Sequence, residues 1–234
     1  MKKLSNKTKI FNWFRNLFID TRMYILLRIL AKNKSHNNLL TKLIPNNYQF
    51  PKGTIKKFVY KGIFLEVDIH DYVGHFLYFT FKDKGHEKLI DLIKEGDIVL
   101  DVGTNIGSTA LQIARKIGGK GFVFGFEPDQ ENFKNCLKNI RLNNFNNIKV
   151  EKIGLGEKKG TFDLVVDTES NRGGNRISFN TSKNQDKKSS KILVDTIDTW
   201  ITKIQLDRLD FIKIDIEGFE LKALKGGVRA LEFY

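Results

Sequence analysis

The sequence predicts an α/β fold built on a parallel sheet with helices on both faces. Three observations point to it. From Asp97 onward, apolar runs of strand length alternate with helical patterns. A glycine-bearing turn, GTNIG at 103–107, joins the first such run to the first helix. The first run ends in Asp101, and the second is followed at once by another acid, Glu127.

Composition sets the bounds. With 234 residues, 41% hydrophobic and 29% charged, the chain fits one globular domain with an appendage, large enough to bury a core without staples. The single cysteine, Cys136, excludes an internal disulfide and argues for no oxidising compartment. The expected location is the cytoplasm. Net charge is +13, yet residues 1–34 alone carry nine Lys/Arg against one acid. That basic arm is interrupted by Arg15, Asp20, Arg22 and Arg28, so it does not read as a membrane-spanning helix, and no cleavage site marks a signal peptide. Ile10, Phe11, Phe14, Leu17 and Phe18 share a helical face. Two readings stay open: a helix lying on an anionic membrane, or one packed on the domain or on a partner copy.

The elements follow in order. Residues 1–47 form the arm and a polar linker. Residues 48–96 form an extension in which TIKKFVYKGIFLEVDIHD suggests antiparallel strands, and GHEKLIDLIKEGD a helix ended by Gly96. Residues 97–234 form the nucleotide-binding domain. Its first strand is Ile98–Asp101 and its first helix Gly107–Ile117. The second strand is Phe122–Phe126, the second helix Gln130–Leu142 and the third strand Ile148–Ile153. GTFDLVVD and SKILVDT read as two more strands around the polar loop 167–190, taken as a substrate-side flap. TIDTWITKI is a helix capped by Thr196 or Asp195, LDFIKIDIEG a strand, and FELKALKGG a helix closed by Gly226.

The turn selects the ligand. A dinucleotide fingerprint has three glycines, whereas here Asn105 stands at the middle position and Asp101 precedes the first glycine. A carboxylate suits a ligand with a positive group, such as the amino acid end of S-adenosylmethionine (AdoMet). An acid at the end of strand two, Glu127, would grip ribose hydroxyls.

The pieces VLDVGTNIG, VFGFEPDQENFKNCLKNIRLNN, IGLGEKKG, VDTIDTW and LDFIKIDIEGFELKALKGG resemble, in order, an FkbM-type class I methyltransferase. The resemblance implies a Rossmann-like AdoMet-dependent O-methyltransferase, with sugar hydroxyls on glycans or natural products as a common acceptor class. It implies that Asp101, Gly103, Thr104, Asn105 and Gly107 line the methionine half of AdoMet. Glu127 would take the ribose, Pro128 would turn the chain beside the adenine, and Ile153 and Gly154 would flank that ring. Asp215 and Glu217, two residues apart on what reads as an extended strand, would share a face opposite the methyl group. Glu217 is the expected general base and Asp215 an orienting group; a carboxylate cap for the next helix is the other reading of Glu217.

Two carboxylates alone make a weak metal site, and His36, His70, His75 and His86 have no metal-ligand spacing. The family's sheet continues beyond LKGG, so the strand bearing Asp215 is expected to show a bare edge, either because the chain is a fragment or because a partner, such as a second copy, covers it. The alternatives are a nucleic-acid methyltransferase, disfavoured because the charge sits in the arm, and a non-catalytic, truncated AdoMet-binding module.

Overall fold

The computed structural model describes residues 6–35, 38–166, 170–178 and 189–234. His36 and most of the expected flap, at 167–169 and 179–188, lie outside the described residues.

The arm forms α1 (Asn6–Asp20) and α2 (Tyr24–Ala31), and the linker forms α3 (Leu39–Leu43). The extension supplies β1 (Ile55–Tyr60) and β2 (Ile63–Asp68), paired antiparallel about Lys61–Gly62, then α4 (Tyr72–Tyr78) and α5 (Lys84–Leu92). Asp71 caps α4 by accepting from Val73 and Gly74 N–H, and Asp83 caps α5 through His86 N–H. The aromatic run of this region is mostly core: Tyr78, Phe79 and Phe81 are buried, and Tyr72 stays exposed.

The central domain begins with β3 (Ile98–Val102), α6 (Ser108–Ile117), β4 (Phe122–Phe126), α7 (Gln130–Arg141) and β5 (Ile148–Glu151). Next come β6 (Gly154–Leu155), β7 (Gly160–Val165), β8 (Arg176–Ser178), β9 (Ser189–Asp195) and α8 (Ile197–Ile204), which Thr196 caps. The described chain closes with β10 (Phe211–Ile214), α9 (Glu220–Lys225) and α10 (Val228–Phe233).

The central sheet is wholly parallel, in the order β10-β3-β4-β5. Val99, Val123 and Ile148 face Ala110, Ile113 and Ala114 of α6 in one core. Leu100, Val102 and Phe126 face Ile197 and Trp200 of α8 in the other. Apolar residues on both faces are what a doubly covered parallel sheet requires.

Two expectations change. GTFDLVVD and SKILVDT do not extend this sheet. They become β7 and β9 of a second sheet, β6-β9-β7-β8, paired antiparallel with each other. A parallel pairing needs a crossover, usually a helix, and the polar segment between them carries no helical pattern. The third strand also breaks after Glu151, and Gly154 joins the second sheet instead.

Candidate active site

The two glycine-rich ends meet at the carboxyl edge of the parallel sheet. After β3 the chain turns through Gly103 (φ 84°), Asn105 (φ 52°) and Gly107 (φ 87°) into α6. Gly103 is required by space as well as by dihedral. A Cβ there would lie 2.1 Å from the Asp215 carbonyl oxygen, so the turn and the segment after β10 touch backbone to backbone. Thr104 is buried and donates its hydroxyl to the Asp101 carbonyl at 2.9 Å. At Gly107 a Cβ would meet Cys136 Sγ at 2.8 Å, so the thiol packs α7 against the start of α6.

Glu127 follows β4 and is buried. Its carboxylate accepts from Asn105 N–H (2.8 Å) and Asp129 N–H (2.9 Å), holding the apex of the glycine turn to the end of β4. Burial pushes its pKa up to about 7, against the pull of those two N–H groups.

Asp101 is fully buried beneath the turn and is not on the cavity wall described below. Lys213 Nζ, from β10, stands 2.9 Å from Asp101 Oδ1 as an ion pair, while its hydrogen bond in good geometry goes to the Gly103 carbonyl at 2.9 Å. Neither carboxylate oxygen of Asp101 has a partner in hydrogen-bond geometry. Burial raises its pKa, and Lys213 opposes the shift. Lys213 drew no role from the sequence. The signal was there: a lysine within the otherwise apolar run of β10.

Asp215 and Glu217 do reach the site, but not as expected. β10 ends at Ile214, and Glu217 has φ 54°, so the two acids do not alternate along one strand. The loop between β10 and α9 is held by Glu220, whose carboxylate accepts from Ile216 N–H and Gly218 N–H at 3.1 Å each.

Gly103, Asn105, Glu127, Pro128, Asp215 and Glu217 share the wall of one cavity. Ile153 and Gly154 are not on that wall, and its apolar side comes from Leu164, Ile177 and Ile216. The sequence did not single these out, nor Asn132, Arg172, Gly173 and Asn175, which complete the lining. The Gly173–Gly174 pair in the supposed flap was the available hint. Arg172 Nη1 pairs with Asp129 Oδ1 at 3.3 Å, and Asp71 Oδ2 accepts from Arg172 N–H at 3.0 Å. A Cβ on Gly173 would meet Val73 at 2.7 Å and the Asn105 amide at 3.3 Å. This segment therefore fills the site and leaves a cavity of about 50 Å³, against ~300 Å³ or more for small-molecule sites. A polar cavity of about 330 Å³ lies beside it, with Asn132 and Arg172 common to both walls. A larger hollow of about 430 Å³, between Gly156–Lys158 and Phe219, contains none of the turn.

The other histidines are satisfied. A ring nitrogen of His75 lies 2.8 Å from the Pro45 carbonyl, and one of His70 lies 2.8 Å from that of Phe50. Among the described residues, no three His, Cys, Asp or Glu side chains gather as metal ligands would.

Residues 101–234 match the family model described as the methyltransferase FkbM domain, and the chain belongs to that family. The cofactor that goes with this membership is S-adenosylmethionine. The chain is 25% identical over 163 residues to a 2-O-methyltransferase of Sinorhizobium fredii, covering 63% of this chain and 65% of that protein. It is 27% identical over 146 residues to a hexuronic acid methyltransferase of Haloferax volcanii, covering 62% of this chain and 55% of the relative. The chain thus spans between about half and two-thirds of those relatives. A solved FkbM methyltransferase from Methylobacillus flagellatus aligns with 94% of this chain and 47% of its own, at 19% identity and a TM-score of 0.39.

The donor set fits this cofactor. Glu127 offers a carboxylate to a ribose diol, and Gly103 and Asn105 of the glycine turn stand on the same wall, while Asp101, expected from the sequence to meet the amino acid end, is buried off that wall and paired with Lys213.

Proposed function

We propose that this protein is an AdoMet-dependent O-methyltransferase whose acceptor is a hydroxyl of a sugar or glycan. The observation that carries the reading is the one cavity wall shared by Glu127, by Gly103 and Asn105 of the glycine turn, and by Asp215 and Glu217. The name of the Sinorhizobium relative supports transfer to oxygen, and that of the Haloferax relative supports a sugar-type acceptor.

Bound AdoMet supplies an electrophilic methyl group on a sulfonium. The protein must align the acceptor oxygen with it and remove the hydroxyl proton as attack proceeds. Glu217 is the base in this reading and Asp215 the orienting group.

The test is Glu217→Gln. It should keep its affinity for S-adenosylhomocysteine and lose about 10²–10⁴-fold in methyl transfer to a uronate- or hexose-bearing oligosaccharide. Wild-type protein that is folded yet binds no S-adenosylhomocysteine in a calorimeter would leave the non-catalytic module, which the small cavity favours, as the better account.

Glu127 gives this cofactor site a pH dependence. With its pKa at about 7, the carboxylate is largely protonated on the acid side of neutrality, and the ionised form accepts hydrogen bonds from both ribose hydroxyls. Affinity for S-adenosylhomocysteine should therefore rise with pH through about 7, by at most about tenfold per unit below it. The folding contribution of the same group runs the other way. A pKa raised on folding gives stability that is full at acid pH and lost as pH climbs through about 7. Calorimetric titrations across that range, repeated on Glu127→Gln, should show the slope in the wild type and a flat, weaker profile in the variant.

A further inference from the structure

The two arm helices hold the body with one face and leave the opposite face apolar and bare. In α1 the holding face is Asn12, Arg15, Phe18 and Ile19. The Arg15 guanidinium donates to the Lys42 carbonyl at 2.6 and 2.9 Å, Asn12 donates to the Tyr48 hydroxyl at 3.1 Å, and Phe18 and Ile19 pack on the core. In α2, Tyr24 and Leu27 are buried and Arg28 Nε donates to the Tyr78 carbonyl at 2.6 Å. The outward faces are then Ile10, Trp13, Phe14 and Leu17 on α1, and Ile25, Leu26, Ile29 and Leu30 on α2, each 45–65% exposed. The sequence reading put Phe18 with Phe14 and Leu17; the structure turns Phe18 inward.

The helices are thus seated without their outer residues, which leaves those residues with no structural task inside the described chain. An exposed apolar surface of this kind marks an interaction site. Charge says with what. The first 34 residues carry nine Lys/Arg against one acid, and Lys9, Arg22 and Lys32 are exposed beside the apolar faces. A second copy would bring the same patch, and the same positive charge, against itself. A surface of negative charge over an apolar interior has the matching chemistry. No described helix is long and apolar enough to cross a membrane.

We infer that α1 and α2 form an interfacial anchor, their outer faces seated at the headgroup–acyl boundary of an anionic lipid bilayer. Trp13 belongs to this face and is exposed, a residue type favoured at that boundary. Lys9, Arg22 and Lys32 supply the attraction to anionic headgroups.

The test uses the whole chain with vesicles of phosphatidylcholine alone and of phosphatidylcholine mixed with phosphatidylglycerol. Co-sedimentation should be about tenfold or more stronger on the mixed vesicles and should fall as salt is added. The chain has two tryptophans, and Trp200 is buried in the core, so a blue shift of emission on binding reports Trp13. Phe14→Ser with Leu26→Ser should abolish partition and leave the melting temperature unchanged, because both side chains are exposed. Absence of partition into mixed vesicles would overturn the inference. So would light scattering showing a dimer that the same two substitutions dissolve.

Discussion

Gly103→Ala should cost about 2–4 kcal/mol of stability and abolish S-adenosylhomocysteine binding. Two effects add. The residue sits at φ 84°, and the new Cβ would fall 2.1 Å from the Asp215 carbonyl oxygen and 2.9 Å from Ile216 Cγ2. Relief requires the Asp215–Glu217 segment to shift, so the donor turn and the proposed base are displaced together. Gly218→Ala separates the two effects. Gly218 has φ 90° with open space around the missing Cβ, so it should lose only the backbone part, about 1 kcal/mol. Urea denaturation of both variants measures the stabilities, and calorimetry of the folded fraction measures the binding. Equal losses at the two positions would mean that the contact with Asp215 carries no weight.

Lys213→Met should be as severe, by about 3–5 kcal/mol near neutral pH, because it leaves the Asp101 carboxylate buried without its counter-charge. Asp101→Asn in the same chain should recover most of that loss, since the orphaned charge is gone. The pH dependence has a defined sign. Burial raises the Asp101 pKa in the folded state, so its contribution is full at acid pH and falls as pH rises through the folded value. Without Lys213 the folded value climbs further, and the variant should approach wild-type stability as the solution is acidified. Denaturation at several pH values checks this, and a loss independent of pH would assign Lys213 to packing alone.

Much of the parallel core is legible from pattern. Phe122–Phe126 needed nothing but its apolar run, and α6 and α7 announced themselves through the helical patterns that begin near Gly107 and Gln130. For α8 the sequence left Thr196 or Asp195 as the cap, and Thr196 takes the role. The second sheet was not legible, because strand direction depends on how the chain returns, and a polar loop does not encode its path. Glu127 could be named from its place after the second strand, and Asp215 and Glu217 through the family resemblance, as neighbours of one cavity. Their aim could not. The extended spacing predicted for Asp215 and Glu217 gave way to a left-handed turn, held by Glu220 accepting from Ile216 and Gly218. Lys213 and Arg172 were hidden for a similar reason. Each acts on a partner more than 40 residues away in sequence, Asp101 and Asp129 respectively.

The packing of Cys136 on Gly107 has a practical consequence. The thiol is the only one in the chain, it is fully buried, and burial pushes its pKa upward, so it is inert while α6 and α7 stay together. A reagent can reach it only when that joint opens, and the joint is the helix end of the turn that would carry the methyl donor. The chain therefore contains its own clock for the breathing of its cofactor site, readable by thiol labelling with no probe engineered into it.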